Sequence, residues 1–285
     1  MRNEKYIIAP TIIWLFVFFL VPLLLIFGFA FMKNGMYGEI EKTFTLENIV
    51  KVFDPLYLKV LWTTFWIALV TTIITLLIGY PYAYTATVVN EKWQRILLLL
   101  ITIPFWINFL VRSYALIVIL RSKGIINTLL IQLGIIKEPL QLLYNTPSVI
   151  MGMVYTLLPF MVLPIFVAIE QLDNRKLDAA NDLGATPFQT FIYVTLPLTM
   201  KGIFAGSILV FVASFGMFVV SDVMGGSKVA LIGNVIQNQF LAARNWPFGS
   251  ALSIFLVITS IGLIGLYYLA TKNIGVGKSR SRGEK

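Results

Sequence analysis

The sequence predicts an all-α, polytopic membrane protein with six transmembrane helices, and three observations carry that expectation. Of 285 residues, 58% are hydrophobic and only 12% charged, whereas soluble domains average about 45–50% apolar and about 25% charged. Six apolar stretches reach the roughly 20 residues needed to cross a hydrocarbon core about 30 Å thick. In lipid a backbone must satisfy its own hydrogen bonds, so each of these stretches has to be helical.

The first stretch, Ile7–Phe31, follows Arg2 and Lys5. It is longer than the apolar core of about 7–15 residues in a signal peptide, and no small-x-small cleavage pattern follows before Lys33. It is therefore expected to stay as a span. The others are Val60–Thr85, Ile96–Leu120, Val149–Ile169, Ile203–Ser221 and Ala251–Ala270. Pro10, Pro22, Pro81, Pro104, Pro159 and Pro164 interrupt them. Each removes an amide donor, which spanning helices tolerate when neighbours re-satisfy the carbonyl. Kinks are the plain expectation, and bending at a gate is the functional one. Two shorter runs, Ile125–Ile136 and Val229–Ala243, fit interfacial or buried helices. The chain 1–285 is expected to form a single transmembrane domain.

The absence of Cys and His excludes disulfides, thiolate nucleophiles, imidazole acid–base chemistry and the zinc sites those residues build. The net charge of +9 is read as topology signalling rather than a nucleic-acid footprint, because no basic stripe on a soluble face accompanies it. With the N-terminus inside, 12 of the 22 Lys and Arg residues fall in inner segments and nine in outer loops. Over about 60 and about 80 positions respectively, that is roughly a twofold higher density inside, as the positive-inside tendency requires. Six spans then place both termini in the cytoplasm.

On that side lies one long loop, Gln171–Gly202. Asp173 or Asn174 can cap a helix running through Leu183, and Gly184 suits the left-handed residue that ends it. Thr186-Pro187-Phe188-Gln189 reads as a capping box with proline at the first helical position. A second short helix should follow and break near Leu196-Pro197, where the amide donor is missing. In the first helix, Ala179, Ala180 and Gly184 leave a thin surface that another backbone could approach. Arg175, Asp178 and Asp182 recur at spacings of three and four and share a face. Packing of this helix on its own spans is the plain alternative to docking by a partner.

Asp178-Ala179-Ala180, three residues, Gly184, nine residues, Val194, one residue, Leu196-Pro197 resembles the EAA signature of bacterial ABC-importer permeases. The family pattern has Glu where this chain has Asp178, and Ile where it has Val194. The likeness extends over nearly the whole chain. NEKWQRILLLLITIPFWINFLVRSYA, SDVMGGSKVALIGNVIQNQFL and WPFGSALS are similar to the spermidine/putrescine permeases of that family. The resemblance implies the type I importer (MetI-like) permease fold in a bacterial plasma (inner) membrane. It also implies four partners besides lipid: a second homologous permease, two copies of a cytoplasmic ATPase, and an extracytoplasmic polyamine-binding protein. In such a complex Asp178, Ala179, Ala180, Gly184, Leu196 and Pro197 serve ATPase coupling, the helix docking in a cleft of the ATPase. No nucleic acid is implied.

The sequence agrees with that division of labour. No G-x-x-x-x-G-K-[ST] phosphate loop occurs; Gly225-Gly226-Ser227-Lys228 echoes one without its spacing. ATP and Mg are thus expected on the partner ATPase, with no cofactor and no catalytic residue on this chain.

For the route of a polycation, ionisable groups near spans are the first candidates, because they are costly in lipid. Asp222 follows Phe211, Phe215 and Phe218, which recur at four and three residues and so share a helical face. A carboxylate beyond an aromatic stripe suits ammonium pairing and cation–π contact; packing phenylalanines and a capping aspartate are the plain reading. Trp106, Asn108, Tyr114 and Tyr155 could also line the route, or serve as interface anchors. Arg112 would repel a polyamine, so a structural pairing or snorkelling is expected of it. An intramembrane enzyme would need converging acid, base or metal ligands, which the spans lack. A stand-alone channel or secondary transporter would not need a docking loop, and a permease for another small solute stays open.

Overall fold

A computed structural model describes residues 4–35 and 38–272. Among the described residues six helices are long and apolar enough to cross a membrane: Pro10–Ala30, Pro55–Val88, Phe109–Gln132, Thr146–Glu170, Pro187–Gly216 and Trp246–Leu269. The number matches the sequence reading, while the bounds shift most at the third and fifth, and the third is interrupted by a turn at residues 121–124. The chain divides into two packing units, one comprising the part up to Thr63 with Leu231–Gly262, the other Thr64–Ala230 with the part from Leu263 onward.

In the first unit, the opening span is continuous through one π-turn, Phe16–Leu20, directly before Val21-Pro22. Its side chains are mostly exposed, Phe18 and Phe19 among them, as a lipid-facing helix requires. A small antiparallel hairpin follows, Met32–Asn34 with Ile40–Phe44, an addition to the all-helical expectation. Phe31 stacks on Phe44 at 5.7 Å. Asn48 donates from Nδ2 to the carbonyls of Ala30 (3.3 Å) and Met32 (2.8 Å), closing the end of the span. Ala30, Val52, Ile232, Phe248, Ala251 and Leu252 form the core, with Tyr57 edge-on to Phe248 at 5.0 Å. The short run read from the sequence becomes the helix Ile232–Leu241.

In the second unit, the fourth span is the most buried of the six. Asn145 and Ser148 close its start with a capping box. It packs along the fifth span through Leu157, Met161, Ile165 and Val210. Gly202 and Gly206 make this approach possible. A Cβ on Gly202 would lie 2.5 Å from the Ala168 Cβ and 2.7 Å from the Pro164 carbonyl oxygen, and one on Gly206 would lie 3.1 Å from the Met161 carbonyl oxygen. The G-x-x-x-G spacing brings both to one face, where backbones can touch. Pro81, Pro159 and Pro164 sit inside helices that run through them.

The third apolar stretch is not one helix over Ile96–Leu120. It is two, Glu91–Trp106 and Phe109–Leu120, with extended backbone at Ile107 (ψ 132°) and at Asn108 (ψ 134°). Pro104 withholds an amide two residues before the break, and the Asn108 side chain accepts from the Leu110 amide at 2.9 Å to start a new helix. The helix Ile125–Gln132 follows after the turn at residues 121–124.

The fifth span also departs from expectation. No break occurs at Leu196-Pro197: a π-turn at Phe191–Thr195 immediately precedes it, and the helix runs on from Pro187 to Gly216. A π-turn pairs carbonyls with amides five residues on, so the chain passes the proline without ending the helix. The helix ends instead at Gly216, with Met217 extended (ψ 114°). Residues Ser221–Gly225 then form a separate turn of helix, tied by the Ser148 hydroxyl donating to the Met224 carbonyl at 2.9 Å.

Candidate functional site

The 171–202 segment is a closed piece of local structure. Asp173 caps the helix Asn174–Asp182, its carboxylate accepting from the Arg175 amide at 3.1 Å. The far end is a Schellman motif: the Gly184 amide donates to the Asn181 carbonyl (2.9 Å) and the Ala185 amide to the Ala180 carbonyl (3.1 Å). Gly184 has φ +80° with open space around it, so its requirement is conformational, not steric. Thr186 and Gln189 then form the expected capping box. The Thr190 hydroxyl donates to the Asn181 side-chain oxygen at 3.3 Å, joining the two helical pieces.

Polarity divides this helix. Arg175, Asp178, Ala179 and Asp182 are exposed, while Leu177 and Ala180 are half-buried against the protein. Leu183 (89%), Phe188 (70%) and Tyr193 (76%) lie exposed beside it. Sequence reasoning passed over these three; their signal was large apolar side chains in an otherwise polar loop. Leu196 is half-buried and Pro197 exposed, within the continuous fifth span. The signature residues thus stand on the Asn174–Asp182 helix and on the fifth span, with Gly184 in the turn between the two and the π-turn inside the span.

The aromatic and polar residues of the suggested route do not form one site. Phe211 stacks on Phe215 at 5.7 Å, but Phe215 is buried to 1% exposure and packs rather than lines. Phe218 lies past the end of the helix at Gly216, so it does not share their helical face as the spacing suggested. Asp222 is exposed, its amide donating to the Phe218 carbonyl at 2.9 Å. Trp106 (90% exposed) and Tyr114 (59%) project outward around the break in the third span. Asn108 spends its side-chain oxygen on a helix cap. Tyr155 is partly engaged by Arg112, whose guanidinium carbon lies 5.7 Å from the Tyr155 ring and 5.8 Å from that of Phe109. Among the described residues no cluster of acidic side chains could hold a metal ion.

Residues 76–274 match the family described as "Binding-protein-dependent transport system inner membrane component". The spermidine/putrescine transport system permease protein PotB of Haemophilus influenzae is 47% identical over 95% of each chain. Its namesake from Escherichia coli K12 is 45% identical, covering 92% of this chain and 94% of that one. Among solved structures, a bacterial ABC transporter importing the acidic polysaccharide alginate aligns with TM-score 0.80 at 16% identity, covering 96% and 98% of the two chains. The alginate transporter in complex with its alginate-pentasaccharide-bound periplasmic protein aligns with TM-score 0.74 at 17% identity, covering 96% and 95%. A family match over most of the length, joined to a shared fold and six spans, makes this chain a multi-pass membrane protein that belongs to the inner-membrane permease components of binding-protein-dependent transport systems.

Proposed function

We propose that the chain is the permease subunit of an ATP-driven polyamine importer, moving spermidine or putrescine by alternating access. The observation that carries the reading is its match to the spermidine/putrescine permeases, end to end rather than in the signature loop alone. The chain itself performs no catalysis. ATP and Mg belong to two copies of a cytoplasmic ATPase, and a second homologous permease completes the pathway. An extracytoplasmic binding protein delivers the polyamine. Both termini lie in the cytoplasm, on the side of the Asn174–Asp182 helix.

The exposed side chains Leu183 and Phe188 suit docking in an apolar cleft of the ATPase, where Asp178 and Arg175 add charge at the rim. Differential contact with the open and closed ATPase pair would then bias the spans between two states.

The test is reconstitution of the full complex in vesicles, with ATP hydrolysis and uptake measured for spermidine, putrescine and an unrelated cation such as choline. Stimulation by one or both polyamines and not by choline is expected. Equal response to choline would overturn the substrate assignment. An ATPase that co-purifies undiminished with Leu183→Asp and Phe188→Asp would overturn the docking assignment.

A further inference from the structure

The Asn174–Asp182 helix joins the fifth span through the turn at 183–186, and one turn inside that span the helix is not an ordinary one. Phe191–Thr195 make one π-turn, a form that occurs as single turns, frequently at functional positions. Hydroxyls follow its inner side. Thr195 donates to the Thr190 carbonyl at 3.5 Å, and Thr199 donates to the carbonyls of Thr195 (2.9 Å) and Leu196 (3.1 Å). Such back-bonding offers carbonyls partners other than the helix amides and tends to bend the helix.

The second span holds the same turn from the side. Tyr80 and Tyr84 set their rings edge-on to Phe191 at 5.6 and 5.7 Å. The Tyr80 hydroxyl lies 3.0 Å from that of Thr199, and both residues are buried. Either hydroxyl can donate in this bond, and when Thr199 turns its one proton to a backbone carbonyl Tyr80 is the donor. Next to the turn, a cavity of about 330 Å³ lined by Tyr84, Glu170, Leu177 and Thr195 among others reaches the inner side of the Asn174–Asp182 helix. The turn, itself part of the fifth span, therefore adjoins both that helix and the second span.

We propose that the Phe191–Thr195 π-turn is the joint through which displacement of the Asn174–Asp182 helix reaches the Leu196–Gly216 part of the fifth span, with Tyr80 as the positioning residue that sets its resting state. The inference rests on the coupling role proposed above. A straight α-helix here would move as one rod with the loop. A wide turn whose carbonyls have both amide and hydroxyl partners can exchange one pairing for another, which makes it a two-state element that its neighbours can bias. The Tyr80–Thr199 bond is the contact that ties one of those states to the second span.

The experiment uses the complete complex in vesicles, with polyamine imported and ATP hydrolysed read in the same sample. Tyr80→Phe, Thr199→Val and the double variant are compared with Thr199→Ser. The ratio of polyamine imported to ATP consumed is expected to fall roughly threefold or more in each single variant, the weight of one buried hydrogen bond. The double variant should be no worse than either single, because all three lose the same bond, and Thr199→Ser should hold the wild-type ratio. A merely structural role would lower the yield of complex and leave the ratio alone. A wild-type ratio in Tyr80→Phe overturns the joint. Coupling itself is scored separately, by whether Leu183→Asp releases the ATPase.

Discussion

Arg112 donates from Nη1 to the carbonyl oxygen of Pro104 at 3.2 Å, across the break between the two helices of the third apolar stretch. That oxygen also accepts the Ile107 amide at 3.3 Å, so the end of one helix is closed by a side chain from the next. The guanidinium is buried and caught between the rings of Phe109 and Tyr155. Arg112→Ala is expected to destabilise the protein by about 1.5–3 kcal/mol, the range for hydrogen bonds to charged groups, and Arg112→Lys by less. Thermal unfolding in detergent checks this; a normal melting midpoint with lost transport would move Arg112 from the scaffold to the pathway.

At Gly184 the prediction separates backbone from bulk. Its φ of +80° stands in open space, so any L side chain costs about 1–2 kcal/mol through conformation alone. Gly184→Ala should weaken retention of the ATPase in affinity purification almost as much as Gly184→Val. Gly184→Asn should retain more, because asparagine visits the left-handed region more readily.

Gly202 poses the opposite case, in which space decides. With the Ala168 Cβ 2.5 Å and the Pro164 carbonyl oxygen 2.7 Å from an added Cβ, even Gly202→Ala should force the fourth and fifth spans apart. Overpacking of this kind costs about 1–3 kcal/mol. The readout is the yield of monodisperse protein in detergent, and a normal yield would show that the two spans have room to separate.

Phe215 and Asp222 should divide stability from transport. Phe215→Ala removes a fully buried ring and is expected to cost about 3–5 kcal/mol of stability, visible in thermal unfolding. Asp222→Asn, at an exposed position, should leave unfolding unchanged and lower polyamine-stimulated ATP hydrolysis. Unchanged stimulation would remove Asp222 from the route.

What the sequence disclosed follows from where the signals are local. The caps at Asp173 and Thr186 and the glycine at 184 each act within four residues, and the structure places them as expected. The break at Ile107-Asn108 lay inside a stretch apolar enough overall to read as one span, where hydropathy carries no information about where a helix ends. Only Pro104 followed by Asn108 hinted at it. The face shared by Phe211, Phe215 and Phe218 assumed an unbroken helix, and Gly216 ended it. At Pro197 the missing amide was read as a stop, because proline's effect was weighed without the wide turn that absorbs it. The Gly202–Gly206 contact went unread for a different reason: its meaning depends on which helix lies opposite.

Two of the three π-turns among the described residues stand in the same relation to proline, Phe16–Leu20 before Pro22 and Phe191–Thr195 before Pro197. Each adds one residue to a helix that otherwise advances about 100° per residue. The side chains before such a turn are therefore out of phase with those after it, by roughly the angle of a single residue. In the fifth span this sets the azimuth at which the loop meets the membrane-embedded part. Deleting Thr195 would keep every apolar side chain of the turn and still rotate the loop about a quarter-circle from its mark, so sequence length, as much as composition, is under constraint at this point of the chain.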